Sequence, residues 1–259
     1  MILAVDMGNT NIFVGLYQNT DLLLTYRTLT DQGKSYDEYL QIFKDFIRNN
    51  NIQIPIDGAI LSSVVPSLTS VIKTVIEEIF KCKVLIVGTG VKTGLPIKMD
   101  NPNEIGADLI AVSVGAVSKY GYPTIIADLG TASKIILIDK NGNFAGGSIL
   151  PGMKISARAL TQFAAQLHDI SLIATKSALG KNTPDSMNSG CVYGAACAID
   201  GLCKKFENEI GYQCNLVLTG GYAPLIKDYI DARFNFEKNI ILDGLINLFY
   251  KNEVKKSWK

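Results

Sequence analysis

Two short segments carry residues suited to holding a polyphosphate. The first is Asp6-Met7-Gly8-Asn9-Thr10 and the second is Asp128-Leu129-Gly130-Thr131-Ala132. In each, an apolar run ends in an aspartate, a glycine follows, and a second apolar run begins after the turn. That pattern predicts a strand, a turn and a returning strand, with backbone N–H groups at the tip aimed at an anion. A Cβ at Gly8 would obstruct close approach of a phosphate. Asn9 and Thr10 add side-chain donors, and Asp6 suits a hydrated Mg²⁺. A third glycine-bearing strand end, Thr219-Gly220-Gly221, suits close approach of a flat neutral group such as an adenosine. One Asp-x-Gly turn is compatible with a plain tight turn. Two at duplicated positions favour the phosphate reading.

Other chemistry is excluded by what is missing. His168 is the one histidine, and no G-x-S-x-G elbow accompanies it, which removes the Ser-His-Asp and Cys-His hydrolases. H-E-x-x-H, the P-loop and the G-x-G-x-x-G fingerprint are all absent. The five cysteines include no C-x-x-C, and Cys191, Cys197 and Cys203 recur every six residues, so they do not share one helix face. A reduced cytoplasmic protein with buried thiols is the expectation, rather than a zinc site or a disulfide framework. With 25 basic against 24 acidic residues and no basic stripe, no nucleic-acid partner is expected. The basic tail Lys255-Lys256-Ser257-Trp258-Lys259 reads as a solvated end. No apolar run is long enough to cross a membrane, and Asp6 interrupts the N-terminal one too early for a signal peptide.

The elements that must position these turns follow from periodicity. Ile2 to Val5, Ile12 to Tyr17 and Leu22 to Thr28 read as three strands. Ser35, with Glu38 three residues on, opens a helix to about Asn49. Gly58 to Val64 is a strand, Pro66 opens a helix to Phe80, Lys83 to Val87 is a further strand, and Leu109 to Tyr120 is a helix. From Tyr122 the order repeats: strands from Thr124, from Lys134 and, after an Asn141-Gly142 turn, from Phe144, then helix beyond Pro151. The strand Leu216 to Thr219 with Pro224 mirrors the earlier Ser62-Ser63-Val64-Val65-Pro66 segment. Asp6 and Asp128 lie 122 positions apart in 259. A duplicated α/β architecture with two mixed sheets flanked by helices is therefore predicted, with halves at 1–121 and 122–259 and a terminal helix able to pack back on the first half.

Paired hairpins of this kind, facing across a cleft, resemble the nucleotide site of the ribonuclease-H-like, actin-like ATPase fold. The chain more specifically resembles the type III pantothenate kinases, in order along nearly its whole length. The blocks are D-M-G-N-T-N at Asp6, S-S-V-V-P-S at Ser62, D-N-P-N-E-I-G-A-D from Asp100 to Asp108 and D-L-G-T-A at Asp128. G-G-S-I-L-P-G at Gly146, G-K-N-T at Gly180, S-G-x-x-x-G at Ser189 and T-G-G-Y-A at Thr219 complete them. The resemblance implies a homodimer that uses ATP, Mg²⁺ and a monovalent cation, K⁺ or NH₄⁺, to phosphorylate pantothenate on the way to coenzyme A. It further implies that Asp6, Met7, Gly8, Asn9, Thr10, Asn11, Ile12 and Phe13 cradle ATP phosphates, with Thr131 also contacting ATP. Asp128 would hold the monovalent cation and Asp108 would be the base. Met99, Gly106, Ala107, Leu109 and Thr183 would line the pantothenate pocket. The dimer would use the helical stretches near Lys154 to Ala165 and Ser189 to Phe206.

Three positions depart from that pattern where the substrate is expected. Leu109 stands where an arginine would grip the pantothenate carboxylate, Met99 where an aromatic is usual, and His168 where a proline is usual. Ser133-Lys134 follows the second turn in place of two threonines. Losing a buried arginine contact removes a bidentate, charge-assisted pair. Lys98, Lys134, Arg158 and Lys181 are the cations able to substitute. A kinase of the same fold for another small hydroxylated substrate, and a non-catalytic nucleotide-binding paralogue, stay open as alternatives at this point.

Overall fold

A computed structural model describes residues 1–52, 55–174 and 176–253; the basic tail from Lys255 lies outside the described residues. The chain forms two compact units. One comprises Met1–Leu95, Asn101–Ser118 and the C-terminal segment from Ile240, the other Pro96–Asp100 and Lys119–Asn239.

In the first unit, strands β1 (Ile2–Met7), β2 (Asn11–Gln18) and β3 (Asp21–Leu29) form an antiparallel meander. Helix α1 (Tyr36–Asn49) leads to β4 (Gly58–Ser63), which pairs parallel with β1; α2 (Pro66–Phe80), β5 (Val84–Ile86) and α3 (Ala107–Tyr120) follow. The Ser35 hydroxyl accepts the Glu38 N–H while the Glu38 carboxylate accepts the Ser35 N–H at 2.8 Å, the reciprocal cap that the S-x-x-E spacing predicts. Alternate residues of β1 serve two cores. Leu3, Val5 and Met7 pack toward α1 and α2, whereas Ile2 and Ala4 pack with Ala111 of α3 and Leu245 of the last helix.

The second unit repeats the plan with β6 (Thr124–Leu129), β7 (Ala132–Ile138), β8 (Phe144–Pro151), α4 (Met153–Phe163), α5 (Thr183–Ile210), β9 (Asn215–Thr219), α6 (Ala223–Ile226) and β10 (Phe234–Phe236). The two sheets have the same order, β3-β2-β1-β4-β5 and β8-β7-β6-β9-β10. Here α5 closes one face, with Val192, Ala196, Ile199 and Cys203 packed on Ile125, Ala127 and Leu216. Cys197 of the same helix is exposed.

Helix α7 (Ile240–Glu253) belongs to the first unit, where it contacts β1, β2 and β4. It crosses α3 with glycine against backbone: a Cβ on Gly244 would lie 1.8 Å from the Ala111 carbonyl oxygen, and one on Gly115 2.2 Å from that of Ile240. Tyr17 of β2, fully buried, donates a 2.7 Å hydrogen bond to Asp243 and ties the helix to the sheet. No helix among the described residues is long and apolar enough to cross a membrane.

Candidate active site

Asp6 and Asp128 sit near the carboxyl ends of the central strands β1 and β6, where α/β sheets present their ligand sites. In the first unit Asp6 of β1 stands opposite Phe13 of β2, which stands opposite Arg27 of β3. The Arg27 guanidinium lies 4.1 Å over the Phe13 ring. Partial desolvation lowers its pKa from the usual arginine value, and the nearby Asp6 charge works against that shift. Arg27 was not among the residues singled out in the sequence. Counting pairs outward from the Gly8 turn puts it in the Asp6 row, but only once three strands are known to pair. On the other side Asp6 abuts Ser62 of β4, whose fully buried hydroxyl has no hydrogen-bond partner among the described residues.

The Gly8 turn is anchored from inside. Gly8 N–H closes the hairpin on the Asn11 carbonyl at 3.0 Å, the Thr30 hydroxyl donates to the Gly8 carbonyl at 2.7 Å, and Thr30 N–H donates to that of Thr10 at 2.9 Å. The tip that remains outward is Asn9 and Thr10, both exposed. Gly8's φ lies outside the left-handed region, and a Cβ there would meet nothing nearer than the Asn11 carbonyl oxygen, at 3.4 Å. The same holds for Gly130, whose nearest neighbour would be the Ala132 carbonyl oxygen at 3.7 Å. Neither glycine answers a steric or conformational need of its own hairpin.

The glycine at the third strand end reads differently from the expectation. Gly220 has φ +97°, and a Cβ would sit 2.5 Å from the backbone of Leu129, while Tyr222 N–H donates to the Leu129 carbonyl at 3.0 Å. Gly220 is there for close packing of β9's exit on β6, so its glycine character says nothing about an adenosine.

Asp108 is expected as the base, just ahead of a helix from Leu109. The helix instead begins at Ala107, with the Gly106 carbonyl accepting the Ile110 N–H, so Asp108 lies inside the first turn. Its Oδ1 accepts the Leu109 N–H at 2.9 Å, satisfying one donor that a helix start leaves over. A Cβ on Gly106 would fall 2.4 Å from Asp108 Oδ1 and 3.6 Å from Val64 of the Ser-Ser-Val-Val loop. Gly106 therefore clears the space that the carboxylate occupies. Ala107 and Leu109 flank it, both half-buried.

Met99, Asp128, Thr131 and Thr183 belong to the second unit. Asp128 of β6 faces Lys134 of β7 across the sheet, and their side chains pair at 2.9 Å. Thr131 is at the exposed tip, its carbonyl held by Gly152 N–H at 3.1 Å. Met99 is half-buried; its sulfur would be 3.7 Å from a Cβ on Gly146. Thr183 opens α5, capped by Asn182, and lines a surface hollow of about 620 Å³ with Lys181, Ser186 and Leu160. Lys98, Arg158 and His168 are exposed.

Residues 2–205 match the family described as Type III pantothenate kinase. A protein named Type III pantothenate kinase from Exiguobacterium sp. (strain ATCC BAA-1283 / AT1b) is 38% identical over 254 residues, covering 98% of this chain and 100% of that protein. Another of that name, from Halalkalibacterium halodurans, is 38% identical over 97% of this chain and 100% of its own. Among solved structures, the activator of the 2-hydroxyisocaproyl-CoA dehydratase from Clostridium difficile with bound ADPNP aligns with TM-score 0.56 at 12% identity, covering 100% of this chain and 98% of that one. That likeness concerns the fold, a duplicated actin-like ATPase architecture.

Proposed function

Because the chain belongs to the type III pantothenate kinase family, and so phosphorylates pantothenate with ATP at the first step of coenzyme A synthesis, we propose how its residues divide that work. Asn9, Thr10 and Thr131, each at an outward tip, donate to ATP phosphates, and Gly8 and Gly130 let phosphates lie close. The clearance at both glycines supports this, since nothing inside the protein needs it. Met7, Asn11, Ile12 and Phe13 shape the first cradle from behind.

Asp6 fits Mg²⁺. It has the orphaned Ser62 hydroxyl beside it, and among the described residues no cluster of three or more acidic, His or Cys ligands competes. One carboxylate acting through water, with phosphates completing the shell, is how Mg²⁺ is usually held. When bound, Mg²⁺ neutralises charge that builds on the transferred phosphoryl group.

Asp108 is the base. The pantothenate hydroxyl oxygen attacks the γ-phosphorus, the bond to the β–γ bridging oxygen breaks, ADP leaves, and the hydroxyl proton passes to the Asp108 carboxylate. Catalysis of this kind rests on positioning, and the Leu109 N–H and the space at Gly106 set the orientation of that carboxylate. Pantothenate is gripped without the missing arginine. Of the four candidate cations, Lys134 is committed to Asp128, whereas Lys181 shares the hollow of Thr183, so we assign the carboxylate to Lys181. We also place the enzyme in the cytoplasm as a homodimer. Ile155, Leu160 and Phe163 on and at the end of α4 are exposed, Phe163 at 83%, which supports an apolar contact there.

The test is ADP release together with mass detection of 4′-phosphopantothenate. Asp108→Asn is expected to cut turnover by roughly 10²–10⁴ with ATP binding retained. Full turnover by Asp108→Asn would remove it as the base. Light scattering that shows a monomer would remove the dimer.

A further inference from the structure

The resemblance implies a monovalent cation at Asp128, but a positive charge is already there. Lys134 Nζ lies 2.9 Å from Asp128 Oδ2, and the two side chains are only 17% and 15% exposed. The pair is built into the sheet. Asp128 and Lys134 are direct cross-strand partners, flanked by Leu129 opposite Ser133 and Ala127 opposite Ile135. The neighbours of Lys134 along β7 behave as the pleat demands: Ile135 and Leu137 point into the core and fix the register. A one-residue slip would drive Lys134 into that core, so the ammonium is held on the Asp128 face.

A K⁺ ion does not fit beside that pair. It would have to displace Lys134 Nζ and leave a little-exposed ammonium a few ångströms from a second cation, with no gain in net charge. Lys134 carries the same unit charge on a tether, as a compact ammonium with three donors. The first unit is built differently. Opposite Asp6 stands Phe13 rather than a lysine, and the cation comes from the next strand as Arg27.

We propose that Lys134 replaces the monovalent cation at Asp128, so that nucleotide binding and phosphoryl transfer here are independent of K⁺ and NH₄⁺. The inference rests on the proposed phosphate role of the Gly130-Thr131 turn. An uncompensated carboxylate next to that turn would repel the polyphosphate, and Lys134 cancels that charge. Lys134 is a positioning and charge-compensating residue; it transfers no proton.

The experiment compares the full chain in choline, potassium and ammonium chloride at equal ionic strength. Three quantities are read: affinity for a non-hydrolysable ATP analogue, the thermal midpoint with and without that analogue, and pantothenate turnover. Wild type is expected to hold all three within about twofold, or about 1 °C, across the salts. Lys134→Ala is expected to bind the analogue about tenfold more weakly in choline and to recover in K⁺ or NH₄⁺. A tenfold gain of wild-type analogue affinity or turnover on adding K⁺ overturns the proposal. So does a folded Lys134→Ala that loses affinity in every salt, which would mean that Lys134 serves the nucleotide in another way. So too does a folded Lys134→Ala that keeps wild-type affinity in choline, which leaves only a structural ion pair. If the alanine variant does not fold, Lys134→Met takes its place, and the wild-type salt series decides by itself. Since analogue binding is read apart from turnover, absence of pantothenate phosphorylation in all salts would count against the kinase reading and leave this test intact.

Discussion

Replacing Gly8 by alanine should separate stability from function, with opposite signs. The added methyl group would meet only the Asn11 carbonyl oxygen at 3.4 Å, an ordinary contact, and Gly8's φ is not in the left-handed region. The folded state should therefore tolerate it, and the reduced freedom of the unfolded chain should stabilise by about 0.4–1 kcal/mol. For a chain of this size that is a rise in thermal midpoint of roughly 1–4 °C. The methyl group would occupy the space through which phosphate oxygens reach Asn9 and Thr10. Losing two charge-assisted bonds there costs about 3 kcal/mol or more, on the order of a hundredfold in ATP affinity. Calorimetric titration with ATP and Mg²⁺ reads the affinity. A thermal scan reads the stability, and ATP should raise the midpoint of wild type but not of Gly8→Ala. Gly130→Ala, with its nearest atom at 3.7 Å, should behave alike. Gly244→Ala is the contrasting control: its Cβ would lie 1.8 Å from the Ala111 carbonyl oxygen, so destabilisation of about 4 kcal/mol or more is expected. Wild-type ATP affinity in Gly8→Ala would refute the reasoning, because no phosphate could then be passing over that Cα. A loss of more than about 2 kcal/mol of stability would refute its other half.

Gly106→Ala should push the Asp108 carboxylate from its place, lowering kcat by about tenfold or more with ATP affinity and thermal midpoint nearly unchanged, as steady-state kinetics and calorimetry can read. Leu109→Arg should lower KM for pantothenate with little effect on kcat, because a carboxylate remote from the transferred phosphoryl contributes nearly uniform binding; Lys181→Ala should raise KM in the same assay. Glu207 is held below its usual carboxylate range first by its bidentate contacts with Arg233, at 2.8 and 3.1 Å, with the Cys214 N–H also lowering it. Its folded pKa is depressed, so its contribution is present above the unfolded value and lost as pH falls through the folded one. Arg233→Ala should cost roughly 1.5–3 kcal/mol at pH 7, and its midpoint should converge on that of wild type in acid denaturation scans below the usual glutamate range.

Much of this protein was legible in its residue order because the relevant physics is local. The Ser35–Glu38 cap needs only three residues' spacing and formed as read. The period-2 runs and the repeated Asp-x-Gly turns gave two sheets of the same strand order. Strand pairing across a short turn is nearly determined by the turn itself, which is why both hairpins could be anticipated.

What tertiary structure decided were contacts between residues far apart in the chain, or choices between equally good local readings. Gly8 and Gly220 look alike as residues at strand ends, yet a Cβ on one would meet only the Asn11 carbonyl oxygen at 3.4 Å and on the other would run into Leu129. Asp108 passes equally well for a cap or for a residue inside the first turn, until the Gly106 carbonyl is seen to accept the Ile110 N–H. Arg27 joins the Asp6 row only because three strands pair in one register, and Lys134 meets Asp128 rather than a substrate because the pleat puts both on one face. Helix α7 was free by pattern to pack on either unit; the glycines at 115 and 244 let it close against α3 in the first. Residue order carries the periodicities and caps that individual elements obey. Which side chains share a face, and which glycine is pressed by its neighbours, are properties of distances that exist only once the chain has folded.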